Sequence, residues 1–336
     1  MIIRSKAPLR VSFAGGGTDI SPYVEERGGV VLCATIDRYA VSSLQVREDK
    51  KLTVHSLDYD LQARYNVDER LPYDGELDLL KAVINSMCSG NSQGLDFFMH
   101  SDAPPGTGLG SSSTMVASLI GAVKHWQRLP LTDYDVAELA YHIERKELQI
   151  AGGMQDQYAA VFGGFNLIEF SASGVIVNPL RVPSATLNEL QYNLLLVYTG
   201  KSRLSGNIIT TQVDNYKRGE EEVVAALDEL KAITFEAKNA LLTGRLNDFG
   251  ALLHEGWKNK KKVAAQITTS NIDQLYDTAR RHGALGGKIL GAGGGGHLLI
   301  YCPFDKKHII AEKMEQAGGQ VVNFAFEKHG LQTWEA

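Results

Sequence analysis

Cysteine is scarce in this chain and basic charge is not in excess, and both shortages remove whole classes of function. The three cysteines, Cys33, Cys88 and Cys302, are odd in number and far apart, without the paired spacing of a zinc site or a disulfide framework. They are expected to be reduced core thiols, which points to the cytoplasm. Lysine and arginine total 34 against 39 acidic residues, a net charge of −5. No broad basic surface is therefore available, and nucleic acid and membrane are excluded as partners. Any anion must be held locally. Long apolar runs are missing too: nothing approaches the roughly 18 residues of a membrane helix. Arg4, Lys6 and Arg10 interrupt the apolar residues at the start, where a signal peptide needs an unbroken run. Internal repeats and low-complexity tracts are also lacking.

What is present is ample for a core: 336 residues, 44% of them hydrophobic, enough for two modest domains. Alternating patterns in Leu9 to Phe13, Val30 to Ile36, Val41 to Val46 and Leu52 to His55 predict an opening antiparallel sheet. Helical periodicity follows over Leu77 to Met87, Thr114 to Gln127 and Tyr134 to Ile150, the last with Thr132 as N-cap. Strands are expected over Val161 to Glu169 and Tyr192 to Tyr198, joined by a connecting region from Ser171 to Pro183. Beyond a boundary near residue 180, giving units 1–180 and 181–336, come long helices over about 219–243, ended by Gly244, and 246–265. A third helix over Ile272 to His282 precedes a short αβ finish.

Three glycine-rich segments stand out. Pro104-Pro-Gly-Thr-Gly-Leu-Gly-Ser-Ser-Ser113 runs into an amphipathic helix, so backbone N–H groups and the positive helix end converge on one anion site. Capping alone is the plainer reading of the serines, but one serine suffices for that, and the glycines add room for a phosphate. The segment lacks the lysine of the Walker pattern. Gly291-Ala-Gly-Gly-Gly-Gly296 formally fits a dinucleotide fingerprint, yet His297 to Tyr301 after it reads as a strand where a helix is required. It is expected either to press against a ligand or another loop, or to be a tight turn. Ala14-Gly-Gly-Gly-Thr-Asp19 offers a hydroxyl and a carboxylate; a turn with Asp19 capping a following helix explains it equally well. Glu144 and Asp156, each a surface carboxylate when taken singly, together supply a magnesium ligand and a proton acceptor for phosphoryl transfer.

In this order the segments resemble the GHMP kinase superfamily, named for galactokinase, homoserine kinase, mevalonate kinase and phosphomevalonate kinase. Ala7 to Arg10 through Thr18-Asp19, Pro104 to Ser113, and Lys288 to Leu298 match its three motifs. The resemblance covers essentially the whole chain. It implies an α+β fold of two domains, the first similar to the second domain of ribosomal protein S5 and the second an α/β sandwich, with the active site in the cleft between them. It implies ATP binding by Pro105, Gly106, Thr107, Gly108, Leu109, Gly110, Ser111, Ser112 and Ser113, with Mg2+ on Ser112 and Glu144. Asp156 becomes the catalytic carboxylate, with Arg10 beside it to stabilise charge on the attacking oxygen. Gly16, Gly17, Thr18, Asp19, Gly153, Gly293, Gly294 and Gly295 fall on the acceptor side.

Within the family, Ala14 to Asp19, Gly152 to Ala159 and His254 to Lys260 are similar to the subgroup that phosphorylates the anomeric hydroxyl of D-glycero-D-manno-heptose 7-phosphate. That subgroup serves nucleotide-activated heptose biosynthesis. A fucokinase or galactokinase-like sugar kinase and a catalytically silent sugar sensor are the alternatives, and a decarboxylase of the same superfamily is a further one. Lys201 and Arg203, or the run Lys258 with Lys260 to Lys262, are candidate docks for an acceptor phosphate unless they are merely solvated. ATP and a sugar or sugar phosphate are the expected partners, with a homodimer left open.

Overall fold

The computed structural model describes residues 1–58, 60–66, 69–90, 93–200 and 206–336. Its first sheet is built on β1 (Ile2–Ala14) and β2 (Gly29–Arg47), joined through the Gly15 to Asp19 turn and a short helix, α1 (Tyr23–Arg27). The two strands expected over Val30 to Ile36 and Val41 to Val46 are one continuous β2. β3 (Lys51–Ser56) and β4 (Leu61–Asn66) form a hairpin, followed by α2 (Asp78–Met87) and β5 (Gly94–Ser101). β5 lies between β2 and β3, antiparallel to the first and parallel to the second.

The pairing of β1 with β2 shifts register between Pro8 and Arg10. Across it β1 advances two residues while β2 advances four, from Tyr39 to Thr35, and the core changes sides there. Ile3 and Ala7 pack in the cluster that includes Leu119 and Ile120, whereas Leu9, Val11 and Phe13 pack on the opposite side with Leu196, Phe249 and Leu299. The same shift brings the Arg10 N–H against the Leu109 carbonyl at 3.0 Å.

α3 (Ser111–Gln127), α4 (Asp133–Tyr141) and α5 (Gln155–Phe162) cover the first face of this sheet. Thr132 caps α4 through a capping box with Asp135. The helix expected to run to Ile150 stops at Tyr141 and widens into a π-helical turn, His142–Glu147, which carries Glu144; such turns are rare and frequent at functional sites. The strand expected over Val161 to Glu169 begins only at β6 (Phe165–Ser171), because α5 continues to Phe162 and ends on Gly163 and Gly164, both at positive φ. The supposed connecting region contains β7 (Gly174–Pro179), a hairpin partner of β6.

The second half contains α6 (Ser184–Asn193), β8 (Leu194–Tyr198), α7 (Gly206–Lys217), α8 (Glu221–Leu242), α9 (Leu246–Val263) and α10 (Ser270–Arg281). It continues with β9 (Gly286–Ile289), β10 (His297–Tyr301), α11 (Lys307–Gln316) and β11 (Gln320–Val322). Its antiparallel sheet has the order β11-β8-β10-β9. Leu196 and Leu299 face the first sheet, while Val197, Leu298 and Ile300 face a separate core with Leu275 and Met314. Among the described residues, no helix is long and apolar enough to cross a membrane. Cys33, Cys88 and Cys302 are free and buried.

The last residues depart from the expected grouping of 181–336. β12 (Phe326–Glu327) and β13 (Gln332–Glu335) return to the first sheet and pair with β2 and β1. Such short strands carry too little pattern to be read from sequence. The returning segment packs tightly over the end of α5: a Cβ on Gly330 would lie 1.9 Å from the Val161 carbonyl oxygen. Gly330→Ala is therefore expected to destabilise the fold by about 1–3 kcal/mol, the range for overpacking. A lowered urea midpoint would report it, and an unchanged midpoint would contradict the packing.

Candidate active site

The cavity between the two sheets is floored by the loop from Gly106 to Ser113. Gly106, Gly108 and Gly110 all have φ between +76° and +83°, a region that glycine enters without strain. Gly110 occupies the N-cap position of α3, and no side chain caps the helix. The serines are thus not spent on capping, and the first-turn N–H groups of the helix are open toward the cavity. Ser113 accepts from Gln157 Nε2 at 3.1 Å, and Ser112 lines the cavity.

The third glycine segment presses on this loop. A Cβ on Gly108 would lie 2.4 Å from the Leu290 carbonyl oxygen, and one on Gly291 2.8 Å from the Gly108 Cα. The His297 N–H donates to the Thr107 carbonyl at 3.0 Å, with His297 Nδ1 2.9 Å from the same oxygen. Of the two ligand-or-loop readings, loop-on-loop packing is the one visible here.

Arg10 and Asp156 meet above the floor. Arg10 Nε donates to Asp156 Oδ1 at 2.8 Å, and Nη2 lies 2.7 Å from the same oxygen. Arg10 Nη1 donates to the Gly108 carbonyl. The arginine side chain is 3% exposed and the aspartate 21%, so the carboxylate remains reachable while its partner is enclosed.

Glu144 is fully buried. Gln157 Nε2 donates to its Oε2, whereas Oε1 accepts no hydrogen bond among the described residues and lies 3.6 Å from Arg145 Nη1. Burial holds the Glu144 carboxyl above its ordinary range; Arg145, Ser113 and Gln157 oppose the shift and Asp156 adds to it. Arg145 was not anticipated from sequence. Its Nε donates to the Gly153 carbonyl at 3.2 Å, tying the segment after the π-turn to the cavity wall.

Asp19 is not a helix cap. Its Oδ1 accepts from the Gly17 N–H at 2.9 Å, and its Oδ2 accepts from the Gln155 N–H and Nε2 at 3.2 and 3.1 Å. A Cβ on Gly153 would lie 2.0 Å from Asp19 Oδ2, which explains the glycine there.

Gly16, Gly17, Asp19, Gly153, Gly293 and Gly295 line the cavity with Ile208, Ile209 and Gln212 of α7. This helix was missed, although its buried Ile208, Ile209, Gln212 and Tyr216 have helical spacing. Other predicted residues hold the backbone. Thr18 Oγ1 donates to the Gly15 and Val30 carbonyls, Thr107 Oγ1 donates to Pro104, and the Gly294 N–H donates to Ile267. Leu109 is a buried core residue, and Pro105 is outside the cavity lining. Lys201 and Arg203 lie outside the described residues.

Comparison with known proteins places two family models on the chain, the GHMP kinases N terminal domain over residues 78–164 and the GHMP kinases C terminal model over residues 237–320. The chain is 38% identical to the D-glycero-alpha-D-manno-heptose 7-phosphate kinase of Campylobacter jejuni, across 99% of this chain and 98% of that one. It is 26% identical to the L-fucokinase/L-fucose-1-P guanylyltransferase of Bacteroides fragilis, over 89% of this chain but only 34% of that one. A crystal structure of a D-glycero-D-manno-heptose 1-phosphate kinase from Bacteroides thetaiotaomicron superposes with a TM-score of 0.85 at 34% identity, covering 99% of both chains.

The raised Glu144 carboxyl has a consequence for stability. A folded-state pKa above the unfolded one means that the folded protein holds the extra proton, so stability falls as pH rises from the unfolded value through the folded one. Above both, the full cost of the buried charge is present. Without nucleotide or divalent metal, Glu144→Gln is expected to melt above the wild type near neutral pH and to converge with it toward about pH 4, the ordinary glutamate range. Thermal melts across pH test this; a wild-type advantage that grows with pH would contradict it.

Proposed function

The chain belongs to the GHMP kinases, and we propose that it transfers the γ-phosphoryl group of ATP to the anomeric hydroxyl of D-glycero-D-manno-heptose 7-phosphate. The catalytic half of this reading is carried by Arg10 and Asp156 beside Gly110, where a Cβ would sit 3.5 Å from both the Arg10 Cγ and the Asp156 Cγ. A proton acceptor thus stands next to the loop that receives the γ-phosphate. The acceptor is argued from the full-length likeness to the Campylobacter jejuni heptose 7-phosphate kinase. One relative of known structure is named for the 1-phosphate, so the position of the new phosphate is itself a measurement to make.

The residues fit magnesium. Glu144 Oε1 is buried without a donor and Ser112 lines the same cavity, and a hard divalent cation takes such oxygens while completing its shell from phosphate and water. Bound there, the ion would neutralise charge on the ATP phosphates. The chain itself supplies the rest. The α3 N-terminus and the Gly106 to Ser113 backbone hold the phosphates. Asp156 orients the acceptor hydroxyl and accepts its proton as that oxygen bonds to the γ-phosphorus and the bond to the β-bridging oxygen breaks, releasing ADP. Arg10 fixes the Asp156 carboxylate and stabilises charge on the attacking oxygen. With Ser112, Glu144 and Asp156 gathered in one cavity, the arrangement favours an active kinase over a silent sensor.

Asp156→Asn is expected to lower turnover by about 10²-fold or more with the fold retained; near-normal turnover would sink its role. In an ADP-release assay across heptose 7-phosphate, fucose and galactose, the first is expected to give the highest kcat/KM, with NMR placing the new phosphate on C1. Preference for a neutral sugar would replace this acceptor.

A further inference from the structure

Two ammonium groups in the cavity have no part in the chemistry above. Lys260 of α9 and Lys288 of β9 are only 6% and 7% exposed, and both line the cavity. Lys260 Nζ donates to Gln212 Oε1 at 3.2 Å, and Lys288 Nζ donates to the Ser12 carbonyl at 2.7 Å. Neither is ion-paired with a carboxylate among the described residues. An ammonium has three N–H donors, and among the described residues each lysine has one neutral acceptor.

Burying a cation without a counter-charge is expensive. The strain shows in the lysines' acidity: burial pulls Lys260 down to about 8 and Lys288 to about 7. The groups that face them are Asp19, which supports the charge on both, and Arg10, which together with Lys260 opposes the charge on Lys288. The rest of the basic run turns away. Lys258 pairs with Glu255, Lys261 lies near Asp273 and Lys262 donates to Asn259.

The position of these cations distinguishes the two phosphates that the reaction brings in. The loop from Gly106 to Ser113 and the α3 N-terminus serve the nucleotide. Lys260 belongs to the opposite wall: a Cβ on Gly17 would lie 2.6 Å from its Nζ, and its partner Gln212 also donates through Nε2 to the Gly17 carbonyl at 2.9 Å. Lys288 is anchored on Ser12, two residues beyond Arg10 on β1, a step of about 7 Å along a strand. The cations therefore extend from the reacting end toward the acceptor wall.

We propose that Lys260 and Lys288 form the subsite for the phosphate already carried by the acceptor, and so set a preference for a phosphorylated sugar over a neutral one. This rests on the acceptor reading given above. A bound phosphate completes the ammonium groups' hydrogen bonds and restores their full charge, so binding near or above pH 8 takes up protons.

The test compares kcat/KM for D-glycero-D-manno-heptose 7-phosphate with that for the unphosphorylated heptose, at saturating ATP, in the wild type, Lys260→Met and Lys288→Met. Methionine keeps the length of the side chain without the charge. The ratio of the two values is expected to fall about 10-fold or more in each variant, the loss of a charge-assisted hydrogen bond. Equal losses on both sugars, or an effect confined to the KM for ATP, would overturn the proposal while leaving the acceptor reading intact. A wild type that phosphorylates only neutral sugars would overturn both. Calorimetry on the wild type needs no variant. Titration with heptose 7-phosphate at pH 8 in two buffers of different ionisation heat is expected to show net proton uptake, and absence of uptake counts against the subsite.

Discussion

Arg10 joins three segments that are distant in sequence. Its backbone N–H donates to Leu109, its Nη1 to Gly108, and its Nε and Nη2 hold Asp156 at the start of α5. At the register shift after Pro8, β1 changes the side on which its apolar residues pack. Leu9, Val11 and Phe13 then enter the core shared by both sheets, and Arg10 enters the cavity. The shift in the β1–β2 pairing after Pro8 thus couples the packing of the two halves to the placement of the reactive carboxylate. Removing a partner from such an enclosed pair leaves a charge without compensation, a larger loss than the pair's net contribution to stability.

The glycines perform the complementary task. Where the phosphate loop meets the third glycine segment, backbone meets backbone: Gly108 against Leu290, Gly291 against Gly108, Gly296 against Thr107. Side chains there would separate the walls and widen the cleft. At Gly153 the neighbour is the Asp19 carboxylate itself. Glycine content in this cavity therefore follows from proximity of main chains, and at Gly106, Gly108 and Gly110 from positive φ as well.

These causes also explain what could be read from sequence. The phosphate loop was legible because glycine spacing and the helical period of α3 are local signals. Arg10 was legible only through family resemblance, since nothing local shows that residue 10 reaches residue 156. The twelve positions between Glu144 and Asp156 gave no hint of a π-helical turn, and a plain helix was expected through Ile150. The return of β12 and β13 rests on two and four residues, below what periodicity can reveal. Of the basic run in α9, sequence could not say that Lys260 alone turns inward, because burial depends on the partner helix α7 and on the Gly17 turn.

Taken together, the ionisable groups of the cavity are arranged for ligands that bring charge of both signs. Glu144 is buried with one oxygen that accepts no hydrogen bond among the described residues and lies 3.6 Å from Arg145 Nη1, and burial works against its charge. Lys260 and Lys288 are buried without carboxylate partners among the described residues, and burial works against their charge. A cation relieves the first and an anion the second, while Arg10 and Asp156 compensate each other and need neither. Arg10 and Asp156, in direct charge contact at 2.7 Å, stand at the reacting atoms, where a fixed geometry matters most. The groups whose charge burial opposes stand at the two binding walls. Free energy spent on desolvating them in the empty protein is returned when ligands bind, so the same residues that lower its stability raise its affinity.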